Sequence, residues 1–203
     1  MSRRVKSRGH QRLYNHLSGY LGLFASDTAQ ADITPTRGFW YTQMFTNRGN
    51  YTKVHHMENK SEAPNTLSRF VNEVGIPQQI LTDNAKELKF GERKKICKKH
   101  YIIQQFTEPH SPWQNPAELA VGITKRMLRK LIKKTNTPVR LWDYCWSYVC
   151  ELRTLTASRN VWLEGKTPFK KVHGYSPNVA EFVIHGWYDW IWYHNPSSSK
   201  KAI

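Results

Sequence analysis

Three carboxylates stand where strand and helix ends would converge: Asp27, Asp83 and Glu118. Hard divalent cations such as Mg²⁺ or Mn²⁺ take oxygen ligands. Two such ions about 4 Å apart can activate a nucleophile and stabilise the leaving oxygen of a phosphodiester. A few carboxylates gathered from distant segments meet that need. Each also has a plainer explanation. Asp27 followed by Thr28 reads as a strand-end turn, and Asp83-Asn84 as a polar turn after a buried strand. Glu118, three residues after Asn115 and two after Pro116, fits a capping-box-like helix start. Asp32 and Glu87 are reserve candidates for the acidic set, and the role of His110 stays open. His55 and His56 fall in a strand, where a structural role is the simpler reading. His10 and His16 have the spacing of half a His-His-Cys-Cys zinc site, but no Cys-x-x-Cys completes it.

The cations point to a polyanionic partner. Thirty-one basic residues face 15 acidic ones, a net charge of +16 with pI near 9.9, and each phosphate contact made by such a surface releases condensed counterions. Lys125, Arg126, Arg129, Lys130, Lys133 and Lys134 follow Glu118 with no acidic residue among them. Lys125, two helical turns beyond Glu118, is placed to neutralise a phosphate beside the carboxylates. Trp113 and Gln114 lie in a proline-bounded loop just before, and Trp113 can stack on an unpaired base. The alternative for the helix is a solvated exterior, but six unrelieved positive charges favour DNA. A second cluster, Lys86, Lys89, Arg93, Lys94, Lys95, Lys98 and Lys99, is partly offset by Glu87 and Glu92 and serves either target DNA or the surface only. No apolar stretch approaches the roughly 18 to 20 residues of a membrane span, and the basic start lacks a signal segment, so a soluble, unsecreted chain with no membrane partner is expected. Cys97, Cys145 and Cys150 match no zinc pattern and suit a reducing compartment.

The elements that must position these groups follow from periodicity and turn signals. Strand-like runs at Leu21–Thr28, Phe39–Phe45 and Tyr51–Met57 predict an antiparallel meander. Ser61 caps a helix carrying Leu67, Phe70, Val71 and Val74, which Gly75 stops. Ile76 to Leu81 predict a buried strand, Glu92 to His100 a basic helix, and Tyr101 to Thr107 another strand. Asn115-Pro116 opens a helix with Leu119, Ile123, Met127 and Leu131 recurring every four residues. A last helix carries Trp142, Cys145, Trp146, Val149 and Leu152. This order specifies an α/β domain, a mixed sheet with helices packed on its faces. Residues 1–20 read as a basic arm, 21–160 as the core, and 161–203 as an extension. Its tryptophans, Trp187, Trp190 and Trp192, either begin a truncated β module or pack back on the core.

Around the carboxylates the sequence resembles the integrase catalytic core of Ty1/copia-like retrotransposons and, more distantly, of retroviruses. The resemblance covers roughly residues 19–178. It rests on Ser26-Asp27-Thr28, on Val74-Gly75-Ile76-Pro77 leading to Leu81-Thr82-Asp83-Asn84-Ala85-Lys86-Glu87, and on Thr107-Glu108-Pro109-His110-Ser111-Pro112-Trp113-Gln114-Asn115-Pro116-Ala117-Glu118. The 34 residues between Asp83 and Glu118 are close to the family's spacing. Leu141-Trp142, Gly165-Lys166-Thr167-Pro168-Phe169 and Gly174-Tyr175-Ser176-Pro177 resemble downstream segments.

The resemblance implies a ribonuclease-H-like mixed five-stranded sheet flanked by helices, with Asp27, Asp83 and Glu118 as catalytic metal ligands for two Mg²⁺ or Mn²⁺ ions. It implies 3′-end processing and joining of element DNA to target DNA, self-association into a homo-oligomer, no small-molecule substrate, and a location in the nucleus or in an element particle. The chain departs from the family where glycines are usual: Pro116 stands two residues before Glu118, and Asn84-Ala85 follows Asp83. An upstream zinc module and a complete C-terminal DNA-binding domain are not evident, so a fragment or truncated copy is expected. Two other functions stay open: an inactive, integrase-derived DNA-binding protein, and a ribonuclease-H-like nuclease that does not join ends.

Overall fold

The computed structural model describes residues 16–17, 22–33, 35–83, 88, 91–108 and 115–190. Strands β2 (Leu23–Gln30), β3 (Tyr41–Asn47) and β4 (Thr52–Met57) form the predicted antiparallel meander. Their starts fall up to two residues later than the apolar runs suggest, and β2 continues past Thr28 to Gln30. Strands β6 (Gln79–Thr82) and β7 (Ile103–Phe106) add in parallel beside β2, giving a mixed five-stranded sheet in the order β4-β3-β2-β6-β7. The predicted strand from Ile76 to Leu81 is broken at Gln78, whose N–H donates to the carbonyl of Gly22 at 2.9 Å. Pro77 has no N–H for a ladder, and Ile76–Pro77, β5, instead pairs in parallel with His16–Leu17, β1. Part of the segment read as an arm is thereby tied down.

Side chains alternate across the sheet and build a core on each face. Phe24, Phe45 and Ile80 pack on one side with Leu67, Phe70 and Val71 of helix α1 (Ala63–Glu73) and Cys97 of helix α2 (Gly91–Lys99). Ala29, Met44 and Val54 pack on the other with α3 (Pro116–Thr135) and α4 (Trp142–Leu155). The expected Ser61 cap is replaced by a single 3-10 turn, Lys60–Glu62. The Glu62 carboxylate reaches back to accept from the N–H groups of Asn59 and Glu58, at 2.8 and 3.1 Å.

Helix α3 is turned relative to the predicted apolar stripe. Its buried residues are Ala117, Ala120, Thr124 and Leu128, whereas Leu119 is 66% exposed and Met127 38%. Small side chains let the helix backbone approach the sheet, and Thr124 returns its hydroxyl to the Ala120 carbonyl at 2.8 Å. Trp146 of α4 fills the space behind it and donates its indole N–H to Thr124 Oγ1 at 2.9 Å. Trp187 packs back on this core and donates to Thr137 Oγ1 at 2.9 Å, while Trp190 is 98% exposed and Trp192 lies outside the described residues. The three cysteines are buried and unpaired. No helix among the described residues is long and apolar enough to cross a membrane.

His55 and His56 belong to the core, as the strand position suggested. His56 shares hydrogen bonds with Thr42 Oγ1 at 2.8 Å and Ser147 Oγ at 3.0 Å, and burial pushes its pKa down from 6.5 to about 4. An imidazole neutral in the fold but protonated in the unfolded chain below 6.5 withdraws stability as pH falls from about 6.5 toward 4. For His56 the loss is on the order of 3 kcal/mol. Urea midpoints measured from pH 7 to pH 4 are expected to fall less steeply in His56→Gln than in the wild type. Parallel slopes would contradict this.

Candidate active site

Asp27 lies within β2, and the β2–β6 ladder pairs Phe24 with Ile80 and Ala25 with Leu81. Two further residues along that register bring Asp27 level with Asp83, immediately past the end of β6. Alternation puts Asp27 on the same sheet face as Ala29, the face covered by α3. Glu118 stands in the first turn of α3 and is exposed.

The electrostatics tie the three together. The Asp27 carboxyl is pushed up from 3.8 to about 6, mainly by burial. The N–H of Thr28, donating at 2.8 Å, opposes the rise; the negative charges of Asp83 and Glu118 add to it, and Lys125 offsets part. The donor set suits a hard divalent cation, being all carboxylate with no thiolate or imidazole among it. The arrangement is open. Among the described residues no three His, Cys, Asp or Glu side chains stand close enough together to hold one ion.

Beneath Asp27 a buried polar network holds the strand. Ser26 Oγ accepts from the Gln43 amide and, at 3.2 Å, from Arg93. Gln43 in turn accepts from the Thr28 hydroxyl at 2.6 Å. Arg93, which the sequence places in the second basic cluster, is fully buried. Burial lowers its pKa to about 10, so it remains a cation at neutral pH, with Cys97 and Asp83 acting to keep the proton on. Asn115 caps α3 by accepting from the N–H of Ala117 at 3.0 Å and donates its own amide to the Ser26 carbonyl at 3.3 Å. In the sequence Asn115 is legible only as a helix opener, Arg93 only as a member of a basic cluster, and Gln43 not at all. The available signal was polar Ser26 and Thr28 continuing the face that begins with Phe24.

Lys125 donates to the Gln30 carbonyl at 3.2 Å, and its ammonium lies 5.6 Å from the Trp146 ring centroid. With Arg129, Asp32 and Trp142 it lines a cavity of about 130 Å³ beside the end of β2. Asp32 is exposed at that rim. Arg126, Arg129, Lys130 and Lys133 project into solvent, with no ion pair among the described residues. Trp113, Gln114, His110 and Glu87 lie outside the described residues.

The mixed five-stranded sheet with helices on both faces is the ribonuclease-H-like α/β fold of retroviral integrase catalytic cores. A chain of the simian T-cell lymphotropic virus intasome, solved in complex with the PP2A regulatory subunit B56 gamma, superimposes with a TM-score of 0.63 at 20% identity over 96% of this protein. The protein spans 64% of that chain's length. The HTLV-2 integrase catalytic core domain in complex with magnesium matches in its trimeric form with a TM-score of 0.58 at 18% identity, and in its dimeric form with 0.57 at 17%. Both cover 74% of this protein and 95% of the core domain. At these identities the likeness is one of fold. No protein-family model and no curated protein sequence matches the chain.

Proposed function

We propose that this protein is the catalytic core of an integrase-type DNA strand transferase, of the Ty1/copia-like kind its motifs resemble, acting by 3′-end processing and joining. The observation that carries the reading is that β2, which holds Asp27, and β6, which Asp83 follows, are neighbouring parallel strands, with Asp83 and Glu118 both near enough to act on the charge of Asp27. Asp27, Asp83 and Glu118 would hold two Mg²⁺ or Mn²⁺ ions, which when bound supply activation of the attacking hydroxyl and charge neutralisation at the leaving oxygen. The protein's own part is positioning. Lys125 neutralises a backbone phosphate beside the carboxylates, and Arg126, Arg129, Lys130 and Lys133 hold the DNA backbone along α3. Trp113 and Gln114 contact the DNA end. A homo-oligomer in the nucleus or an element particle is the setting this reading implies. The HTLV-2 core domains, solved as dimer and trimer, support self-association.

A second reading is an integrase-derived DNA-binding protein without catalysis, which draws on the exposed cations of α3 and not on the carboxylates. Metal-dependent DNA cutting separates the two, and detection of joined strands separates an integrase from a nuclease that only hydrolyses. Both DNA-binding readings require the basic face. Replacing Arg126, Lys130 and Lys133 together by Gln is expected to lower the slope of log affinity against log salt by about 3. An unchanged slope in an anisotropy titration would remove α3 from the DNA path.

A further inference from the structure

Asn115 is buried and uses both ends of its amide. Its oxygen caps the helix that carries Glu118; its nitrogen crosses to the carbonyl of Ser26, the residue before Asp27. Ser26 is itself clamped, its hydroxyl held by Gln43 from β3 and by Arg93 from α2. The β2–β6 ladder ends at the Ala25–Leu81 pair, so the tether engages β2 at the next residue, where the two strands cease to hold one another. A capping oxygen alone is supplied equally well by Ser or Asp, and capping therefore leaves the amide nitrogen unexplained.

We propose that Asn115 is a positioning residue that fixes Glu118 against Asp27 by tying the start of α3 to the backbone of Ser26. This rests on the strand-transferase reading above. Glu118 lies one turn beyond the tether. Without the tether the helix start keeps its cap but loses its fixed distance from β2, and displacement by an ångström in such a site costs on the order of a hundredfold in rate.

The test uses the full chain with Asn115→Ser, which keeps a capping oxygen too short to bridge to Ser26. Asn115→Gly, also tolerated at a cap, is the second variant. Three readouts are compared: the urea midpoint without metal, the midpoint of an isothermal Mn²⁺ binding titration, and kcat and KM for joining. Neither substitution changes charge, so a changed Mn²⁺ midpoint reports geometry. The expected result is a wild-type-like urea midpoint, a Mn²⁺ midpoint raised about tenfold, and kcat lowered roughly 10- to 100-fold with KM for DNA unchanged. A folded variant whose Mn²⁺ midpoint and kcat stay within about twofold of wild type would overturn the proposal. So would failure of both variants to fold, since Asn115 would then be a structural tie. A wild type that neither binds Mn²⁺ nor cuts DNA would overturn the strand-transferase reading and this inference with it; loss of effect in the variants alone would overturn only this one.

Discussion

Replacing Asp27 by Asn is expected to stabilise the metal-free protein while removing the DNA-joining activity proposed for it. Burial and the neighbouring charges of Asp83 and Glu118 push the Asp27 carboxyl from 3.8 to about 6. A raised carboxyl pKa means the native state binds the proton more tightly than the unfolded chain does. Wild-type stability therefore falls as pH rises from about 4 to about 6 and stays lower above it. The cost of the ionised form is on the order of 2–3 kcal/mol, and Asn is free of it. At pH 7.5 without metal the variant should thus unfold at higher urea than the wild type, and at pH 4 the advantage should vanish. Mn²⁺ should raise the wild-type midpoint only. Joining should fall by about a thousandfold or more, some 4 kcal/mol of transition-state stabilisation. A variant less stable than wild type at pH 7.5 would contradict this account of the site.

Trp146→Ala is expected to cost about 3–5 kcal/mol, a large share of the roughly 5–15 kcal/mol that holds a domain of this kind together. The indole is 1% exposed, tilts against Trp142 at a ring separation of 5.9 Å, and donates to Thr124. Removing it opens a cavity behind α3 and withdraws the partner of a buried hydroxyl. The consequence reaches the candidate site, because Lys125 rests over the same ring and Glu118 is on the same helix. Urea denaturation should show the midpoint falling by a third or more of its wild-type value, roughly the share that 3–5 kcal/mol takes of the total. A loss below about 1 kcal/mol would mean that α3 is held mainly from the sheet side.

Much of this architecture was legible because strands and helices bury their apolar residues with different periods. Phe24, Phe45 and Ile80, and Leu67, Phe70 and Val71, behave as those periods require. The order of the segments put Asp27 in the first strand and Asp83 just after a later buried one; that the two strands are neighbours was implied only by the family resemblance. Helix α3 misled because large apolar residues dominate a periodicity count, whereas its inner face is Ala117, Ala120 and Thr124. Close backbone approach selects small side chains, and they leave little trace in a hydrophobic pattern. Arg93 and Asp143 were illegible for the opposite reason: charged residues are ordinarily exposed, yet both are fully buried, Asp143 with Arg37 at 2.6 Å. The Ser26 junction is likewise a matter of tertiary contact. Nothing local in the sequence joins Gln43, Arg93 and Asn115 to one serine.

The central claim is that Asp27, Asp83 and Glu118 form a working strand-transfer site, and the most direct measurement is metal-dependent cutting and joining of a branched DNA that mimics the integration product. Wild type should be compared with Asp27→Asn, Asp83→Asn and Glu118→Gln, with DNA affinity checked for each. The account predicts joined strands with Mg²⁺ or Mn²⁺ in the wild type, and none in any of the three variants at unchanged DNA affinity. A folded, DNA-binding wild type that forms no product with either metal, or a variant that keeps wild-type activity, would contradict it.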